Sequence, residues 1–215
     1  MISTSTVSAY DNVESKMLAK KQFNTLMYSV PCIDSMEVAK FREKFGLPSF
    51  PIEVPCQPIA EAQERRCYSN VSNHITKNGG EGVVGWVIWN NLDLFIEGEL
   101  HAIWKNDQGA FLDITPSDCL FSKHLFIPDP SMTFSGMCID NLRMPLEDDH
   151  RIIEYIQVKH EIFLRTLAGV KYGEQRRVPL TPELEKLEYR RFLIAKEVMV
   201  PRAQERMKRA RLQRL

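Results

Sequence analysis

At 215 residues the chain is long enough for one domain with a sizeable core and extensions at its ends. Hydrophobic residues at 44% and charged residues at 26% exclude a disordered, collagen-like or coiled-coil chain, and no apolar run reaches the roughly 20 residues of a membrane-spanning helix. The formal charge is zero but uneven: residues 176–215 hold twelve Lys/Arg against five Glu, a net +7 that leaves −7 on the first 175 residues.

The first residues, MISTSTVSAYDNVESK, lack the basic-then-apolar pattern of a secretory signal, so a soluble, cytoplasmic protein is expected. Residues 1–12 read as loose. The spacing of Val13, Met17, Leu18, Phe23, Leu26 and Met27 then suits an amphipathic helix that ends before Pro31. Asp34 or Ser35 is a fitting cap for a second helix through Phe45, closed by Gly46 and Pro48. Four prolines between Pro48 and Pro58 keep the next stretch extended. A third helix is expected from near Ile59 through Cys67 to Lys77, stopped by Asn78-Gly79-Gly80.

The period then changes. Gly82–Trp89 reads as a strand, Asn90-Asn91 as a turn, and Leu94–Trp104 as a second strand bent at Gly98. Asn106-Asp107-Gln108-Gly109 is a hairpin turn into a third strand, Ala110–Thr115, halted by Pro116. Residues 117–145 read as irregular, with one or two short strands. Helix returns over Leu146–Leu167, and a last helix opens with Thr181 as N-cap and Pro182 in its first turn. Pro201 is expected to interrupt or kink it before a weakly packed basic end, residues 202–215. The order of elements indicates an α+β fold: N-terminal helices on a small antiparallel sheet, followed by C-terminal helices. The corresponding division is an N-terminal arm (1–58), a catalytic-like core (59–145) and a helical tail region (146–215).

The five cysteines (Cys32, Cys56, Cys67, Cys119, Cys138) are odd in number and form no CxxC pair, which argues against a disulfide framework or zinc knuckle. One of them has a setting for chemistry. A cysteine nucleophile needs a base to form its thiolate and a polar group to hold that base. Cys67 lies on the expected third helix, with His101 on one strand of the hairpin and Asp113 on the next. If the turn centres between Asp107 and Gln108, opposed residues have numbers summing to about 215. His101 and Asp113 sum to 214, which makes them cross-strand neighbours within reach of a hydrogen bond. Gln63 and Asn70, one helical turn either side of Cys67, are candidate oxyanion donors. Glu99, two residues before His101 on the same face, is a candidate cleft residue, and Glu97 is expected to face solvent.

His101-Ala102-Ile103-Trp104 followed by Phe111-Leu112-Asp113-Ile114-Thr115-Pro116 resembles the second half of the transglutaminase-like core, in which a histidine strand precedes a strand ending in Asp-x-Thr-Pro. The order Cys, His, polar residue is similar to that of the wider papain-like group, including arylamine N-acetyltransferases and NlpC/P60 peptidases. The resemblance covers residues 60–116, with Tyr68 where the family carries Trp. It implies Cys67 as nucleophile, His101 as base and Asp113 as orienter in an amidase, peptidase, deamidase or transglutaminase acting on a protein or peptide carboxamide. No HxH or HExxH spacing and no dinucleotide or Walker pattern is present, so neither a metal nor a cofactor is expected. The alternative is a non-catalytic interaction protein that keeps the fold. Its basic tail would dock on an acidic protein, a polyanion such as nucleic acid, or a second copy of the chain.

Overall fold

Two long runs of β-branched and aromatic residues form the centre of the computed structural model, which describes residues 4–212 apart from 134, 173, 175 and 176, with side chains from residue 15 onward. These runs are β3 (Glu81–Asn91) and β4 (Phe95–Lys105), an antiparallel hairpin paired along its full length. Leu92 and Asp93 make the turn with φ of 54° and 59°, the conformation that matches hairpin twist. Leu92 is an unusual residue there; its side chain is buried among the C-terminal helices, and Asn90 accepts the Asp93 N–H at 2.8 Å.

Five shorter strands complete one antiparallel sheet: β1 (Tyr28–Ser29), β2 (Ile52–Pro55), β5 (Phe111–Leu112), β6 (Lys123–Pro128) and β7 (Leu142–Pro145). The main order is β2-β6-β3-β4-β5, with β1 beside β3 and β7 beside β4. The N-terminal arm is therefore threaded into the sheet through β1 and β2. The outer edge of β4 is covered twice, by β7 at residues 95–98 and by β5 at 104–105, which leaves residues 99–103 unpaired on that side.

The helices are α1 (Thr4–Met27), α2 (Met36–Lys44), α3 (Cys67–Asn78), α4 (His150–Thr166), α5 (Pro182–Ile194) and α6 (Val200–Leu212). Ser35 caps α2 and Thr181 caps α5, as their sequence positions indicate. Asp149 caps α4, which starts a few residues later than expected. α2 lays Val38 and Phe41 against Trp86, Ile88, Ile96 and Leu125. Phe41 explains Gly98: a Cβ there would stand 2.8 Å from the ring, so the glycine permits close packing while β4 runs through without a bend. α4 to α6 bury Ile152, Tyr155, Ile194, Val198 and Met199 against Leu92, Leu94 and Phe95.

Several expectations are corrected. α1 begins at Thr4, so the chain is helical well before residue 13; residues 1–3 lie outside the described residues. α3 begins at Cys67, not near Ile59, because the backbone of 55–59 is engaged elsewhere: Gln57 N–H bonds Asp113 O at 2.8 Å and Ile59 N–H bonds Ile114 O at 3.2 Å. The strand expected over 110–115 pairs with β4 only at Phe111 and Leu112, and Asp113 turns to the Pro55–Cys56 backbone. At Pro201, which lacks the N–H that an α-helix needs, a π-turn over Ala195–Met199 precedes the proline and α6 continues beyond it. The tail is also better anchored than expected. Ala203 is buried, and the Arg206 guanidinium donates to Leu26 O (3.1 Å), Tyr28 O (3.3 Å) and Ser29 Oγ (2.8 Å). The exposed part begins at Met207, and residues 213–215 lie outside the described residues. No helix among the described residues is long and apolar enough to cross a membrane.

Candidate active site

The N-terminus of α3 fills the gap in the edge of β4. Ala102, in the unpaired stretch, turns its backbone N–H outward onto the sulfur of Cys67, the first residue of α3. Arg65, with φ of 61°, turns the chain sharply into the helix, and Arg66 at the cap position places no side-chain bond on the first-turn N–H groups. Cys67 is buried, packed with Val71, Ala102 and Ile114.

His101 and Asp113 meet by a slightly different register from the expected one. Trp104 pairs with Leu112 and Lys105 with Phe111, so opposed numbers sum to 216 and the two side chains are diagonal neighbours on one face. His101 Nε2 lies 3.0 Å from Asp113 Oδ2. The ring's remaining nitrogen is Nδ1, and Cys67 is the other group whose charge and hydrogen bonding act on His101. The other oxygen of Asp113 accepts the Thr115 N–H at 2.9 Å, so the Asp-x-Thr turn fixes the carboxylate while its free edge holds the imidazole.

These contacts set the charges. Burial alone would raise the Cys67 thiol, but the charge and hydrogen bond of His101, the Tyr172 hydroxyl and the Ala102 N–H together hold it below its ordinary value. Burial would likewise discourage a charged His101; Asp113 and the Cys67 thiolate outweigh that and hold its pKa well above the usual histidine value. Asp113 loses solvation by burial yet stays below the normal carboxylate value through His101, His124 and the Thr115 N–H. Both shifts favour passing the Cys67 proton to His101.

Three participants were not evident from the sequence. Tyr172 places its hydroxyl 3.4 Å from Cys67 Sγ and takes the Cys67 backbone N–H, with its ring edge-on to Tyr68 at 5.3 Å. Cys56 and His124 lie on the far side of Asp113: His124 Nδ1 is 3.5 Å from Asp113 Oδ2 and 3.6 Å from Cys56 Sγ. The Cys56, His124 and Asp113 ligand atoms lie within 4.8 Å of one another, a spacing that suits a small divalent cation. His124 Nε2, however, is buried with no hydrogen-bond partner among the described residues, whereas a metal-bound histidine normally gives its second N–H to an acceptor.

The Asn70 amide is engaged away from the cleft, and neither Asn70 nor Gln63 lines the cavity that holds Cys67 and His101. Both N–H bonds of the Asn70 amide are taken, by Gln63 O (2.8 Å) and Thr115 Oγ1 (3.2 Å), and its oxygen accepts the Gln63 N–H (3.0 Å). Asn70 thus ties the loop before the nucleophile to the loop after Asp113, while the Gln63 side chain is exposed. Glu97 is not in solvent; it is buried and bonded to Arg143 (2.7 Å), Lys159 (2.9 Å) and Asn141 (3.1 Å). Glu99 does line the cleft, as expected. The cavity, about 610 Å³, lies on the face of the sheet that carries His101, roofed by Lys20, Asn24 and Tyr28 of the α1 region and by residues 115–119. The chain matches no family model, no curated protein and no solved structure.

Proposed function

We propose that the chain is a thiol-dependent acyl-transfer or amide-hydrolysing enzyme built on a papain/transglutaminase-like core, acting on a protein or peptide carboxamide. The observation that carries this reading is Cys67 at the first turn of α3 beside His101, which Asp113 holds at 3.0 Å, with all three in the wall of one cavity. The thiolate donates its electron pair to the carboxamide carbon and the C=O π pair moves to oxygen. The oxyanion draws on the first-turn N–H groups of α3 and the Tyr172 hydroxyl, where positive dipole and donors converge. Collapse of this intermediate breaks the C–N bond as the His101 Nδ1–H protonates the leaving nitrogen. Neutral His101 then takes a proton from water or an amine as that group attacks the thioester, and thiolate departs. Asp113 holds the ring throughout.

The test is alkylation with iodoacetamide at mildly acidic pH, followed residue by residue by mass spectrometry. Buried Cys67 is expected to react faster than exposed Cys32, because His101, the Tyr172 hydroxyl and the Ala102 N–H hold its thiol below its ordinary value. A Cys67 no more reactive than Cys32 or Cys138 in the folded protein sinks the reading.

A further inference from the structure

The cavity wall carries several charges, and nearly all are neutralised by neighbours. Lys20 and Arg65 both reach Asp118, at 3.7 Å and 2.8 Å, and Lys159 is paired with Glu97. Glu99 is the exception: among the described residues no lysine or arginine lies within ion-pair distance of it. Among the described residues its carboxylate takes one hydrogen bond, from Trp89 Nε1 at a long 3.4 Å. It stands two residues from His101 on the same face of β4, exposed to solvent through the cavity. Beside it the Trp89 and Tyr28 rings, with centroids 6.2 Å apart, also line the cavity.

We propose that Glu99, with the Trp89 ring beside it, seats a cationic group of the substrate, an ammonium or guanidinium, next to the scissile carboxamide. A carboxylate without a cationic partner, set beside an aromatic wall, is an arrangement that recognises such cations through charge-assisted hydrogen bonds. The electrostatics of the empty site agree: burial raises the Glu99 carboxyl, and Glu97 and Asp113 raise it further against the opposing pull of His101 and the Trp89 N–H. A bound cation relieves all of these costs together. This inference rests on the acyl-transfer reading and makes its substrate a carboxamide that carries a basic group.

Methanethiosulfonate reagents, which transfer a charged or neutral thiol group to a cysteine, test it without the natural substrate. Rates at Cys67 are measured for an ethylammonium and an ethylsulfonate reagent, each normalised to its rate with a free thiol, with iodoacetamide as the neutral reference. The cationic reagent is expected to react at least about tenfold faster than the anionic one, and Glu99→Gln to remove most of that preference while leaving the iodoacetamide rate within about threefold. If Cys67 reacts readily with iodoacetamide but equally with both charged reagents, or if Glu99→Gln leaves the ratio unchanged, the Glu99 inference falls and the acyl-transfer reading stands. If Cys67 reacts with none of the three, both fall.

Discussion

Cys67 with His101, and Cys56 with His124, flank the same carboxylate, with the two imidazoles 3.0 Å and 3.5 Å from Asp113 Oδ2. Their electrical states are opposite. Burial pushes the Cys56 thiol up to about 12, and the nearby Asp113 charge pushes in the same direction. His124 is driven down to about 4, chiefly by burial. Cys67 is deeply buried too, yet its sulfur faces the His101 ring, the Ala102 N–H and the Tyr172 hydroxyl at a helix N-terminus. Cys56 has no such set among the described residues: it follows β2, its own N–H given to Ser122 O at 2.8 Å. Proximity of cysteine to histidine does not make a thiolate; the donors facing the sulfur do.

The sharpest way to break this contrast is to remove one base at a time. His101→Ala is expected to slow iodoacetamide alkylation of Cys67 at pH 6 by about 100-fold or more, since the charge and bond opposing burial both disappear. His124→Ala changes that rate by no more than a few-fold; a comparable loss from both substitutions means the two pairs act as one unit.

The second test reads the neutral state of His124 through stability. A folded-state pKa of about 4, below the unfolded value of 6.5, means that the unfolded chain binds the proton more tightly. The contribution is fully present above pH 6.5 and is lost as pH falls towards 4, roughly 2.5 kcal/mol by pH 4.5. His101 has the opposite sign, with its contribution present below pH 6.5 and lost as pH rises through its elevated folded value. Urea unfolding at pH 7 and pH 4.5 should therefore show wild type losing about 2.5 kcal/mol more than His124→Leu. Equal losses would mean that His124 is not held neutral.

The smallest effect belongs to Tyr172. Tyr172→Phe keeps the ring packing on Tyr68 and removes one hydrogen bond to the sulfur, so the Cys67 thiol is expected to titrate higher and its alkylation at pH 6 to slow about fivefold. An unchanged titration curve, followed by thiolate absorbance, would assign the stabilisation to His101 and Ala102 alone.

What the sequence made legible follows from how local each contact is. The strand period and the Asn106–Gly109 turn bring His101 and Asp113 together although opposed numbers sum to 216 rather than about 215, because their own sum, 214, is offset by two and an offset of two preserves the side of a pleat. The caps at Ser35 and Thr181 are equally local. Distant partners were invisible. Glu97 alternates with His101 like a solvent-facing residue, but Arg143 and Lys159, 46 and 62 positions away, hold it inside. Tyr172 reaches Cys67 across 105 positions. His124 acquires its setting only because β6 inserts between β2 and β3. The start of α3 depends on residues 113–114 taking up the backbone before it, which no pattern within residues 59–77 records.

The π-turn before Pro201 acts as a phase adjuster for the end of the chain. Each residue of an α-helix advances the side chains by about 100° and 1.5 Å, so the extra residue in a π-turn resets the azimuth of everything after it. That setting lets Ile194, Val198 and Met199 face the core before the proline while Ala203 and Arg206 face it afterwards. Arg206 then reaches the carbonyls of Leu26 and Tyr28, and Tyr28 is part of the cavity wall. A chain shortened by one residue within 195–199 would return the proline ring to the carbonyl of the preceding turn and swing Arg206 about a quarter-turn off its carbonyls. The rotation of a C-terminal helix thus governs how firmly the N-terminal side of the cavity is held.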